Sequence, residues 1–147
     1  MQLENAVVVV TGGGSGIGAA LVERISREGP AALVVVDRDD AAAAAVSDRV
    51  GSAATGTDVW HQQVDVAQEP QVVGLIEQVE QRHGPIDLFC ANAGIGSAMG
   101  VDAPDEVWDQ VLAVNLMAHV YAARALVPGW CERGRGHLLV TASAAGL

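Results

Sequence analysis

The stretch AVVVVTGGGSGIGAALVERI, from Ala6 to Ile25, admits few folds. Its β-branched run reads as a strand buried on both faces, the kind found in parallel sheets. Glycines end the run at Gly12. After them Ile17, Leu21 and Ile25 recur every fourth residue, which is one face of a helix, and Gly29-Pro30 stops it.

The same pattern repeats. ALVVVD (Ala32 to Asp37) is a second buried strand. DDAAAAAVSDRV is an Ala-rich helix with Asp39 or Asp40 as its cap. VWHQQVDV holds a third strand, less apolar and so placed near a sheet edge. Val72, Val73, Ile76 and Val79 mark a third helix, closed by Gly84-Pro85. IDLFCA is a fourth strand, followed by the glycine-rich NAGIGSAMG. A long helix runs from about Pro104 to Val127, and HLLVTA is a fifth strand. Strands alternating with helices over short connections, joined by right-handed crossovers, give an α/β fold. The expectation is a Rossmann-like doubly wound parallel sheet in three α/β/α layers, with about five strands, in a single domain over residues 1–147.

Half of the residues are apolar and aromatics are scarce, which suits tight helix-on-sheet packing and argues against disorder. A net charge of −10 repels phosphate backbones, so nucleic acid is excluded as a partner. Cys90 and Cys131 form no disulfide framework, and no His, Cys or acid cluster has metal-ligand spacing. The N-terminal apolar run is too short for a signal segment or a membrane span. A cytoplasmic protein away from membranes is expected.

The loop TGGGSGIG lies between a strand and a helix, where unpaired N–H groups and a partial positive charge favour an anion. Its best spacing is Thr11-Gly12-x-x-x-Gly16-x-Gly18. Glycines there allow a dinucleotide pyrophosphate to approach the backbone, with Ser15 and Ile17 counted among the contacts. Ala19, where a P-loop has lysine, excludes that alternative. Asp37 ends the second strand, where such folds carry an acid that bonds the adenosine ribose. Its charge disfavours the 2′-phosphate of NADP, although Arg38 beside it could receive one. NAD is the expected cofactor and NADP the lesser one.

In order along the chain, TGGGSGIG, Asp37, VDVAQ, CANAG, VWDQVLAVNL and LLVTASAAGL resemble the motifs of the short-chain dehydrogenase/reductase family. The resemblance implies that Asp65 and Val66 meet the adenine ring, and that Asn92, Ala93 and Gly94 flank the nicotinamide ribose. Ala91 stands where that family has a first Asn, and Ala142 where a second serine is common. It further implies that Asn115, read as a buried amide in the middle of an apolar helix, is the tetrad asparagine holding a water in a proton relay, and that Ser143 is the active-site serine. Ser143 would donate a hydrogen bond to a substrate carbonyl oxygen as hydride arrives.

The family's Tyr-x-x-x-Lys pair is missing. There is no lysine, and the one tyrosine, Tyr121, is followed four residues later by Ala125. A lone tyrosine is a poor base at neutral pH, and the lysine is what lowers its pKa. The expectation is the N-terminal, cofactor-binding part of an enzyme that moves hydride between nicotinamide and a small carbonyl or alcohol substrate. The C-terminal part of the family domain would lie outside it, and the 147 residues alone would show no turnover. A non-catalytic NAD-binding or sensing module is the alternative, and a methyltransferase-like Rossmann domain a weaker one. The apolar helix at 104–127 would join a homo-oligomer. His119, on that helix, and Cys90 are read as packing residues.

Overall fold

The computed structural model describes residues 1–97 and 99–143. The chain runs β1 (Val7–Thr11), α1 (Gly16–Ser26), β2 (Ala32–Asp37), α2 (Asp40–Gly51), β3 (Asp58–Gln63), α3 (Glu69–His83) and β4 (Leu88–Ala91). Then come α4 (Asp105–Leu112), a π-helical turn (Ala113–Met117), α5 (Ala118–Arg133) and β5 (His137–Val140). The strands form one sheet, ordered β3-β2-β1-β4-β5, and every pairing is parallel. The less apolar β3 is at an edge, as its composition implies.

Strand period explains why β1 and β2 are apolar up to their last residues, Thr11 and Asp37. Val7, Val9, Val34, Val36 and Phe89 pack in one core layer with α3 and α5. Val8, Val10, Leu33, Val35 and Cys90 point the other way and pack with residues of α1 and α2. β1 and β2 each feed both layers, so a polar residue is left only at their ends.

Two helix expectations need correcting. On α1 the buried face is Gly18, Val22 and Ile25, while Ile17 is 64% exposed and Leu21 only half-buried. The face is turned one residue because Gly18, with only a hydrogen, lets α1 sit against the β1 loop. The long helix begins at Asp105 and continues past Val127 and through Pro128 to Arg133. Its last turns are held because Trp130 is buried and its Nε1–H donates to the Ile86 carbonyl at 2.7 Å. Gly134, in the left-handed region at φ 65°, then ends it. By length and composition, Asp105–Arg133 would suffice to cross a membrane. Here one face is spent inside the fold, where Ala118, Ala122, Leu126 and Trp130 are buried against the sheet.

At the amino ends of the strands Asp87 joins four elements. Its Oδ2 accepts from the Val7 N–H at 3.1 Å, and its Oδ1 accepts from Arg133 at 3.1 Å and Arg135 at 2.7 Å. Its own backbone pairs with Val7 and His137. Burial pushes this carboxyl up, but the Val7 N–H and the two guanidiniums outweigh it and hold the pKa below the ordinary 3.8. A depressed carboxyl pKa stabilises the fold fully above 3.8 and loses that contribution as pH falls through the lower, folded value. Replacing Asp87 by Asn is therefore expected to cost about 2 kcal/mol at pH 7. Denaturant unfolding should show the gap to wild type closing as the pH drops below 3.8. Equal stability at pH 7 would contradict this account.

Candidate functional site

At the opposite, carboxyl ends the sheet changes direction. From β1 the chain builds outward to β2 and β3, then crosses to β4 and β5 on the other side. Between β1 and β4 the connections diverge and leave a cleft of about 330 Å³. The β1 loop lines it with Gly12, Ser15, Gly16, Ile17 and Gly18. Asp37 and Arg38 come from the end of β2, Asp65 and Val66 from beyond β3, and Asn92, Ala93 and Gly94 from beyond β4. The cofactor residues read from the sequence thus surround one cavity. The sequence reading passed over Val64, Ile95, Val114 and Thr141, which also line it.

Two glycines make the loop possible. Gly12 has φ 63°, and a Cβ there would lie 2.8 Å from the Ala93 Cα. On Gly18 a Cβ would fall 1.9 Å from the Gly12 carbonyl oxygen and 2.6 Å from Asn92 Nδ2. The start of α1 is thereby pressed onto the strand ends. Ser15 occupies the N-cap position with extended backbone, yet its side chain makes no cap bond, and no acid stands in the first turn. By contrast, Asp39 caps α2 by accepting from the Ala42 N–H at 3.0 Å. The N–H groups opening α1 are therefore left for an anion from outside.

Asp37 is held by its neighbours. Oδ2 accepts from the Gly14 N–H and Oδ1 from the Asp39 N–H, both at 3.0 Å. Arg38 is exposed, and its carbonyl accepts from Gln63 Nε2 at 3.0 Å. Asp65 turns the chain into α3, its Oδ1 accepting from the Ala67 N–H at 3.0 Å.

Across the cleft a polar chain links three strand ends. The Thr11 hydroxyl donates to the Cys90 carbonyl and accepts from the N–H groups of Asn92 and Ala93. Asn92 Nδ2 donates to the carbonyls of Thr11 (3.1 Å) and Gly12 (3.3 Å). Asn92 Oδ1 accepts from the Thr141 hydroxyl at 2.8 Å.

Asn115 differs from expectation. It is exposed rather than buried, and it lies in the π-helical turn. Both ends of its amide pair with one peptide: Oδ1 accepts from the Ile95 N–H at 2.9 Å, and Nδ2 donates to the Ile95 carbonyl at 2.8 Å. The turn widens the helix locally and brings the amide to the β4 loop. Ser143 is exposed, two residues past Thr141. The last residues of the LLVTASAAGL motif, 144–147, lie outside the described residues.

The remaining candidates stay structural. Burial pushes the Cys90 thiol up to about 12, far from a thiolate at neutral pH. Tyr121 packs against the core. His119 faces a small hollow behind Ala93 with Nδ1 buried and unpartnered among the described residues, and burial lowers its pKa.

The sequence profile of the family described as short chain dehydrogenase matches residues 6–147. A 1-deoxy-11-beta-hydroxypentalenate dehydrogenase of Streptomyces exfoliatus is 39% identical over 147 residues, covering 97% of this chain and 52% of that one. A short-chain dehydrogenase/reductase from Burkholderia phymatum, solved in complex with NAD, superposes with a TM-score of 0.92 at 29% identity. That match covers 99% of this chain and 52% of the other. A metagenomic short-chain oxidoreductase in complex with NADP gives 0.90 at 30% identity, covering 100% and 66%. The chain spans between 50% and 62% of the length of the first curated relatives it matches.

Substituting Gly18 by Ala is expected to destabilise the protein by about 3 kcal/mol or more, because the new methyl meets backbone rather than a side chain that can move. Gly74→Ala on α3, where nothing lies within 4 Å, should be neutral or stabilising by up to about 1 kcal/mol. Denaturant unfolding of the two variants checks this; similar midpoints would contradict the packing argument.

Proposed function

The chain belongs to the short-chain dehydrogenase family, and on that premise we propose that it forms the nicotinamide-cofactor half of an NAD-dependent oxidoreductase. The observation that carries the proposal is the uncapped start of α1 beside the glycine-lined cleft, with Asp37 fixed at its β2 end. The N–H groups of Gly16, Ile17 and Gly18 suit a pyrophosphate, and Asp37 suits the hydroxyls of the adenosine ribose. Val66 and Asp65 would border the adenine, while Ala93 and Gly94 leave room for the second ribose. When bound, the nicotinamide supplies or accepts the hydride.

In this proposal Ser143 donates a hydrogen bond to the substrate oxygen, a carbonyl when reduced or a hydroxyl when oxidised. Asn115 is a positioning residue: both ends of its amide are committed to the peptide of Ile95, which lines the cleft. A proton relay near it would thus involve the segment it holds rather than a water on that amide. An acid–base partner of the Tyr-x-x-x-Lys kind is not among these residues, since the chain has no lysine and Tyr121 is packed. The reading as an NAD-sensing module shares the cleft and differs only in lacking turnover.

A second copy of the chain is the proposed partner of the long helix. Trp108, Leu112, Leu116 and Val120 recur every fourth residue along it, and all are exposed. The edge strand β5 beside it exposes Leu139 and Val140. The acidic charge and two unpaired cysteines, Cys90 and Cys131, support a reducing, cytoplasmic setting with no nucleic acid or membrane partner.

Calorimetric titration tests the cofactor reading. NAD is expected to bind at least about tenfold more tightly than NADP, because the Asp37 carboxylate opposes the 2′-phosphate. Asp37→Ser should close most of that gap. Tighter NADP than NAD in the wild type would overturn the preference, and binding of neither would overturn the cofactor reading.

A further inference from the structure

We propose that His83, Trp60 and Asp58 form an acid-released latch, in which a neutral imidazole ties the edge strand β3 to the last turn of α3 and lets go when it takes a proton. The latch lies at the amino end of β3, away from the cleft, and stands independently of the cofactor reading.

Which atoms can donate decides how the latch closes. β3 and α3 run in opposite directions, so the first residues of the strand meet the last residues of the helix. Asp58 and Trp60, two apart on β3, share one face of the sheet. It is the α3 face, because Trp60 packs against the core layer that holds Val72, Ile76 and Val79. There the Trp60 Nε1–H donates to His83 Nε2 at 3.1 Å. An indole N–H can only donate, so the ring nitrogen facing it must carry a lone pair. His83 is therefore a neutral imidazole with its proton on the other nitrogen. The two rings stack at 30° with centroids 6.2 Å apart. The His83 side chain is only 12% exposed, and its burial outweighs other influences and lowers its pKa below the ordinary 6.5.

A second partner waits beside the first. Asp58 Oδ2 stands 3.7 Å from the same Nε2 and is paired with Arg82 at 2.8 Å. Arg82 in turn covers the Trp60 ring, its guanidinium carbon 4.9 Å from the centroid. Among the described residues these are the charges that act on His83: Asp58, from β3, raises its pKa, and Arg82, from α3, lowers it. Glu80, one turn back on α3, is engaged elsewhere and accepts from the Ile86 N–H at 3.2 Å. His61, on the other face of β3, pairs with Asp40 at 3.6 Å and lies outside the latch.

A proton on Nε2 sets two donors against each other, so the bond to Trp60 is lost. The new N–H turns to Asp58 and competes with Arg82 for its carboxylate, which loosens the guanidinium from the indole face. Three contacts across one seam thus depend on one proton. Folded His83 takes up that proton less readily than the unfolded chain does. The latch therefore contributes fully above 6.5 and is lost as the pH falls through the lower, folded value. β3 is bonded to the sheet on one side only, through β2, so its contacts with α3 weigh more than those of an inner strand.

The test is two-dimensional NMR of the full chain from about pH 8 to about pH 4.5, a range that spans histidine titration. Three indole N–H signals are present, and Trp60→Phe identifies the one that belongs to Trp60. That signal is expected to move upfield as its hydrogen bond breaks, with a midpoint below 6.5. His83→Gln, whose amide oxygen accepts but does not titrate, should hold it at its neutral-pH position throughout. Asp58→Asn removes the acid-state partner and should lower the midpoint further. A Trp60 signal that stays flat over the range, or that still titrates in His83→Gln, would overturn the proposal. An unchanged or raised midpoint in Asp58→Asn would overturn it as well, since His83 would then take its proton without turning to that carboxylate. Should His83→Gln not fold, the His83 Cε1–H signal of the wild type decides. A midpoint shared with the Trp60 indole supports the latch, and a different one overturns it.

Discussion

The contact on which the site depends is the approach of the β1 loop to the turn after β4, where backbone meets backbone. Gly12 lies against Ala93, and Gly18 against the Gly12 carbonyl, at separations that leave no space for a Cβ. That contact fixes the start of α1 at the mouth of the gap between β1 and β4. The gap itself follows from topology, because a sheet built outward in both directions from β1 must part its connections there. A helix start held at such a gap, with no side-chain cap among the described residues, presents its donors and partial charge to the cleft.

Polar groups join the strands at both ends of the sheet, with different results. At the amino ends Asp87 meets two arginines and a backbone N–H, and its carboxylate is fully engaged. That end is a fastening. At the carboxyl ends Thr11, Asn92 and Thr141 join β1, β4 and β5 with neutral groups, whose bonding capacity is partly left over toward the cleft. Among the described residues β1 and β2 carry polar side chains only where they end, at Thr11 and Asp37. Asn115 extends the same logic from the helical layer: its amide grips the peptide of Ile95 and ties the long helix to the cleft wall.

Much of this was legible in the sequence, for a physical reason. Buried parallel strands must be apolar throughout, and a loop that carries backbone into close contact must be glycine. Both are local demands with local signatures, and they located Gly12, Gly18 and the strand end at Asp37, while the Asn92–Gly94 turn was named by the family resemblance. What escaped depends on partners far along the chain. Thr141 and Asn92 are 49 residues apart, and Asp87 meets Val7 across 80. The helix continues past Pro128 because Trp130 reaches Ile86, 44 residues earlier. Ile17 looked like core because it shares a spacing with Leu21 and Ile25, but the true buried face is centred on a glycine, which no apolar count detects. Asn115 reads as a buried polar residue only if its helix is a regular α-helix; the π turn changes where the amide emerges.

The central claim is that one dinucleotide spans the cleft from β2 to β5. A crystal structure of the full chain grown with NAD tests it most directly. The account requires the adenosine ribose on Asp37, the pyrophosphate on the N–H groups of Gly16 to Gly18, and the nicotinamide half past Ala93 and Gly94 toward β5. NAD density lying elsewhere, or running in the reverse direction across the strand ends, would contradict it.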